Sequence, residues 1–373
     1  MDRMFPFGLE SHLSFYLIVY VLTLVMHVFL MTYVLAGSTW LAWATIFPGR
    51  DVLPLTKQPL AMILRDWMPF ALSGAITAGV APLLFVQILY RQQFYTANLL
   101  LGWRWMMVIP VLVIAFYLLY VIKSKAVSRW SFPLRCGLAV SVAASFLFVA
   151  FCWTTNHLLS LDQAAWPEMY GSRRAVDAIV PLCFRLLAWA AGAFPIMSIV
   201  ASWQLRGMRR CDANREPSVS AVDWLAMYDR EDRRLAKVSV TGLCVAVISC
   251  LCYAMTLKSN VASQLTGSPG LLWLLIGIAG VAFQTIGWSF QLRKPCFSTL
   301  WLTVITTASL GTLLATASLR EIIRLAQANL IQVTESTRAA ADVGGFGVFV
   351  IFTIINTALI GWCLRMVMNR HRV

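Results

Sequence analysis

LSFYLIVYVLTLVMHVFLMTYVLAGSTWLAWATIF, residues 13–47, decides the fold class. The hydrocarbon core of a bilayer is crossed by about 20 mainly apolar residues in a helix. This run exceeds that length, so it predicts a membrane helix that tilts or projects beyond the bilayer. It is also far too long for the apolar region of a signal peptide. The preceding MDRMFPFGLESH lacks the basic start and the small-residue cleavage site of such a peptide. The run is therefore expected to stay in place as a first span.

Eight further segments qualify working outward from it, near 67–90, 101–122, 133–159, 178–204, 238–257, 270–290, 297–319 and 345–368. With the first span near 13–46, these make an all-α, polytopic integral membrane bundle of about nine helices. Residues 1–373 form a single transmembrane domain. The composition agrees: 60% hydrophobic, 12% charged, with a mean hydropathy of +0.74. A soluble chain carries about 25% charge, so a soluble globular enzyme is excluded, and so is a disordered chain. Pro82, Pro110 and Pro195 fall inside spans, where proline kinks a helix and frees backbone carbonyls. No internal repeat or low-complexity segment is present, which removes support for transporters built from repeated halves.

The net charge of +14 would suggest nucleic acid in a soluble protein. In a membrane protein it is a topology signal and an attraction to anionic lipid, and no nucleic-acid partner is expected. The loops near 47–66, 123–135, 205–237 and 291–296, with the C-terminal tail, hold 20 Lys and Arg residues. The opposite set, which is the N-terminus and the loops near 91–100, 160–177, 258–269 and 320–344, holds 8. The bias places the N-terminus outside and the C-terminus inside. The largest loop, 205–237, is cytoplasmic. Within it SVSAVDWLAMYDREDRRLAK reads either as a charged surface loop or as a short amphipathic helix. In the second case Ser218 or Ser220 is the cap, Val222, Leu225, Ala226 and Tyr228 rest at the interface, and Arg230, Arg233, Arg234 and Lys237 face headgroups.

Nine cysteines, at 136, 152, 183, 211, 244, 250, 252, 296 and 363, form no C-x-x-C and no C-x-x-C-H. They read as reduced packing residues. Among the 15 tryptophans, Trp40, Trp43, Trp67, Trp103, Trp105, Trp130, Trp166 and Trp203 lie near span ends, as an aromatic belt does.

Ionisable groups inside a membrane are costly, so each is a candidate for function. Placed by depth, they gather on the outer half. His12 begins span 1 and His27 lies near its middle. Gln87 and Arg91 end span 2, Arg104 starts span 3, and His157 ends span 4. Arg185 lies about two turns inside the outer end of span 5. Arg320, Glu321 and Arg324 follow the outer end of span 8. The positive-inside rule does not explain basic groups there. Two roles fit them: pairing with haem propionates, which guanidinium grips in bidentate fashion, or pairing with Glu321 and with acidic groups of an outer-face partner.

Histidine is the natural axial ligand of a b-type haem between helices. His27 and His157 are the foremost candidates for iron, with His12 behind them, and Arg104 and Arg185 are candidates for the propionates. His12 and His27 are separated by about 22 Å along a helix, too far to share one iron. His12 and His157 share the outer level and could pair. The plainer readings are that His27 is a hydrogen-bonded packing residue, and His12 and His157 interfacial ones. His371 belongs to the basic tail. No G-x-S-x-G, H-E-x-x-H or zinc spacing appears. The Asp342–Gly347 stretch is a flexible entry to span 9 and not a phosphate loop.

Nine spans, an outer N-terminus and a histidine in span 1 together resemble subunit I of the cytochrome bd quinol oxidases. The segment SGAITAGVAPLLFVQILYRQQFYTANLL, residues 73–100, is similar to that family's second span, and the likeness covers spans 1–4. It implies that His27 or His12 stands where a span-1 haem ligand stands. Three features depart from the pattern. Arg185 occupies span 5, where the family carries another haem histidine. The acidic proton-path residues have no clear counterpart, and the long outer quinol loop is missing. The resemblance thus implies a reduced relative with one or two haems, or none. Expected is a membrane subunit of a respiratory electron-transfer complex in the bacterial cytoplasmic membrane. It would pass electrons between quinol and an outer-face cytochrome c, beside other membrane subunits. The alternatives are a cofactor-free structural subunit that anchors partner proteins, and a transporter.

Overall fold

The computed structural model describes residues 11–48, 55, 58–172, 179–213, 219–268, 270–293, 298–342 and 346–370. Every regular element among them is helical. In chain order these are α1 (Ser11–Ile46), α2 (Pro59–Leu89), α3 (Arg91–Leu101), α4 (Trp103–Met106), α5 (Val108–Lys123), α6 (Phe132–Leu161), α7 (Trp166–Ser172), α8 (Ile179–Ala213), α9 (Val219–Met255), α10 (Ser259–Thr266), α11 (Gly270–Arg293), α12 (Thr299–Leu325), α13 (Leu330–Asp342) and α14 (Phe346–Arg370). Eight helices are long and apolar enough to cross a membrane, and α14 adds the shorter apolar stretch Val350–Cys363. The protein is an all-α, multi-pass membrane bundle.

α1 is the hub. It packs along α2, α6, α8, α12 and α13, which is why its apolar residues surround it instead of forming one stripe. Tyr33, Val34, Leu35, Ala36 and Leu41 are buried there against Leu60, Leu64 and Met68 of α2. Two pairs of helices draw close through glycine. A Cβ on Gly79 of α2 would lie 2.8 Å from His27 Nδ1, and one on Gly280 of α11 would lie 2.8 Å from the Ala308 carbonyl of α12. Small residues that let backbones approach are the usual means of packing helices in lipid, where hydrophobic burial gives no net drive. Polar ties add to this: Tyr33 donates to Gln204 at 3.1 Å and Gln284 to Thr312 at 2.9 Å.

Several boundaries differ from the sequence expectation, each for a local reason. α2 begins at Pro59, not near 67, because Pro59 is tolerated in a first turn. Its first turns also carry Leu60, Ala61, Ile63 and Leu64, all buried. Pro110 does lie in the span Trp103–Lys123, but at a helix start and not in a helix interior. The chain breaks at Gly102, where φ is +57°, a conformation natural to glycine. A short α4 follows, and Pro110 falls in the first turn of α5. Pro82 and Pro195 do lie within α2 and α8. The 205–237 segment, expected as a cytoplasmic loop, is mostly helix extension. α8 runs on to Ala213, and α9 is one helix from Val219 to Met255. The side chains of Val222 and Leu225 lie outside the described set, but Tyr228 is buried in the bundle and does not rest on lipid. Arg209 to Asp229, 2.9 Å, ties these two extensions to each other, and Arg234 to Glu231, 3.1 Å, is an ion pair within α9. Outer segments expected as loops carry α3, α7, α10 and α13. Gly344 and Gly345, within the expected flexible entry to span 9, lie outside the described residues, as does His371.

Candidate functional site

The outer-half residues do not merely share a depth; some of them meet. α12 runs to Leu325, so Arg320, Glu321 and Arg324 lie within its last turns and not beyond its end. Spaced i and i+4, Arg320 and Arg324 lie on one helix face. Arg320 Nη1 donates to Glu321 Oε1 at 2.9 Å and to the Tyr20 hydroxyl of α1 at 3.0 Å. Its Nη2 lies 3.3 Å from His157 Nδ1 of α6. The Tyr90 hydroxyl, at the end of α2, donates to Glu321 Oε2 at 3.0 Å. Arg324 Nη2 donates to Ser160 Oγ at 3.2 Å, and its guanidinium carbon stands 4.0 Å over the Tyr90 ring. His157, Glu321 and Arg324 are buried, and Arg320 is nearly so. Four helices thus converge on one charged cluster.

Its electrostatics are unbalanced. Two guanidinium groups face one carboxylate. Arg185 lies within electrostatic range of His157, Arg320 and Arg324, although its nearest partner is the Tyr253 ring of α9, at 5.2 Å. His157 Nε2 and Arg324 Nε and Nη1 are buried and have no hydrogen-bond partner among the described residues.

The two haem candidates separate on tautomer. A guanidinium can only donate, so Arg320 obliges His157 Nδ1 to accept, and the proton of the neutral ring sits on Nε2. That nitrogen then has no lone pair for iron. His157 does not fit the ligand role. At His27 the partner of Nδ1 is the Ala75 carbonyl of α2, 2.8 Å away. A carbonyl can only accept, so Nδ1 carries the proton and Nε2 keeps its lone pair. This is the arrangement a ligating histidine has. The ring also fills the space beside Gly79, as a packing histidine does. His27 fits the ligand role on tautomer.

The remaining candidates lie apart from the cluster. His12 is exposed at the start of α1, and His157 meets Arg320 instead of His12. Arg104 lies 5.5 Å over Trp103, its sequence neighbour. Gln87 accepts from the Tyr95 hydroxyl at 3.1 Å. Arg91 lines a shallow outer groove of about 320 Å³ between α3 and α13, with Gln92, Gln93, Tyr95 and Gln332. Among the described residues, no group of three or more His, Cys, Asp or Glu stands ready for a metal ion, and the described cysteines are free thiols.

No known family matches this chain. No curated protein does either. The geometry therefore carries the functional argument.

Sequence reading missed Tyr20, Tyr90 and Ser160 because each sits in an otherwise apolar or neutral helix end. One signal was available. Tyr20 and His27 are seven residues apart, two helical turns, and so share a face of α1.

Proposed function

We propose that the chain is an integral membrane subunit of a respiratory electron-transfer complex, seated in a bacterial cytoplasmic membrane. It would hold a b-type haem on His27 and exchange electrons between quinol and an outer-face cytochrome c. The observation that supports this reading is the His27 to Ala75 hydrogen bond. It holds the ring still and leaves Nε2 as a free base within a span. A bound haem would supply one-electron chemistry there. The chain's own part is to orient that ring, with Gly79 leaving room for it. About 10 Å nearer the outer surface, on the same face of α1, Tyr20 leads to Arg320, where carboxylate groups would be received. The test is an absorbance spectrum of the purified chain with a pyridine-haemochrome assay. A Soret band should appear, vanish or shift in His27→Ala, and persist in His12→Ala. No Soret band and no haemochrome from wild type would overturn the reading.

A second reading, a cofactor-free subunit that anchors partners, draws on α14. This helix packs little on the rest of the bundle, and Ile351, Phe352, Ile354, Leu359 and Trp362 are all exposed along it. Under this reading, ending the chain after Asp342 leaves the bundle folded but releases a co-purifying membrane subunit.

A further inference from the structure

We infer that the corner formed by Arg324 and His157 is a binding site for an oxyanion, a carboxylate or phosphate group. Among the described residues, three buried donors on these two neighbouring side chains have no acceptor: His157 Nε2–H and the Nε and Nη1 of Arg324. An unmet buried donor costs about 1–3 kcal/mol, more when charged, so three on two neighbouring side chains need an account. The same corner has more cations than anions: among the described residues Glu321 is the one carboxylate paired there, with Arg320, while Arg324 and Arg185 add to the positive side. Water or a neutral carbonyl would satisfy donors and leave the charge. An oxyanion supplies both an acceptor and a negative charge.

The three donors are closed off in this structure, so the ligand has to enter by a side-chain movement. Tyr90 is the partition. Its ring covers the Arg324 guanidinium, and its sequence neighbours Leu89 and Arg91 both line the outer groove. A turn of that ring would open Arg324 toward a polar groove at headgroup level. The oxyanion can come from a phospholipid headgroup, from free anion, or from the carboxylates of a haem. The site does not depend on the haem reading, because wild type without haem still presents the donors.

The test uses the full chain purified in detergent. Native mass spectrometry reads retained phospholipid or haem. Thermal unfolding with added inorganic phosphate, against sodium chloride at equal ionic strength, reads free anion. Wild type should show a retained phospholipid, a retained haem or a phosphate-specific rise in midpoint. Arg324→Gln should weaken it by at least about tenfold, equivalent to about 1.4 kcal/mol, while the exposed inner-side control Arg129→Gln keeps it. If Arg324→Gln fails to fold, His157→Phe takes its place. The proposal is overturned if wild type shows none of these signals, or if the folded variant keeps them undiminished. A haem retained by wild type and lost in His27→Ala but kept in Arg324→Gln also counts against the site.

Discussion

Glu321 receives Arg320 on one oxygen and Tyr90 on the other, and it is 3% exposed. Replacing it with glutamine keeps the shape and removes the charge. Arg320 and Arg324 would then share a buried corner with no anion. Breaking a buried pair by removing one partner costs roughly 3–5 kcal/mol. We expect Glu321→Gln to lower stability by that order, measured as a shift of the unfolding midpoint in mixed micelles. Substituting Glu335, on the outer helix α13, should leave that midpoint nearly unchanged. The importance of Glu321 was half legible in the sequence. An acidic residue beside Arg320 in an apolar context asks for a partner. Its long-range partner Tyr90, and Tyr20 on the adjoining Arg320, come from helices about 230 and 300 positions away in the chain, and a long-range meeting of that kind has no local signature.

At the scale of helices, the spans were legible because twenty-odd apolar residues have few other uses. The ends were not. Hydropathy falls where a helix leaves lipid, but the helix itself continues while its backbone hydrogen bonds remain favourable. That is why α8 and α9 project beyond the bilayer and why α12 carries its charges inside the helix. Close approaches were also hidden, because a glycine in a span looks the same whether or not another helix lies against it. Gly280 is such a case. A larger side chain there would meet the Ala308 carbonyl and Thr312 of α12 and push apart the pair that Gln284 joins to Thr312. Overpacking of this kind costs about 1–3 kcal/mol. Gly280→Val should lower the thermal midpoint accordingly, whereas Gly137→Val, where nothing stands within 4 Å, should not.

For the molecule as a whole, the charge bias of 20 against 8 assigns the two sides, and this can be measured directly. In a background without native cysteines, Asn260→Cys on α10 should react with a membrane-impermeant maleimide on intact cells. Ser128→Cys, on the exposed turn between α5 and α6, should react only after the membrane is opened. The reverse pattern would invert the topology and place the Arg320 cluster on the cytoplasmic side. The outer set of charges would then obey the positive-inside rule and lose its claim to a special role.

The break at Gly102 sets how the protein sits against the surrounding lipid. The stretch that follows it, Trp103–Lys123, is 21 residues long, about 31 Å of helix, close to a hydrocarbon core about 30 Å thick. Its neighbours α2 and α6 have 31 and 30 residues and exceed that thickness. Excess length of this sort is taken up by tilt or by projection into the headgroup region. Trp103 and Met106 face outward at the break, 66% and 73% exposed. This edge should therefore stand nearly upright and hold the bilayer at its ordinary thickness, with α3 and the groove beside it at headgroup level.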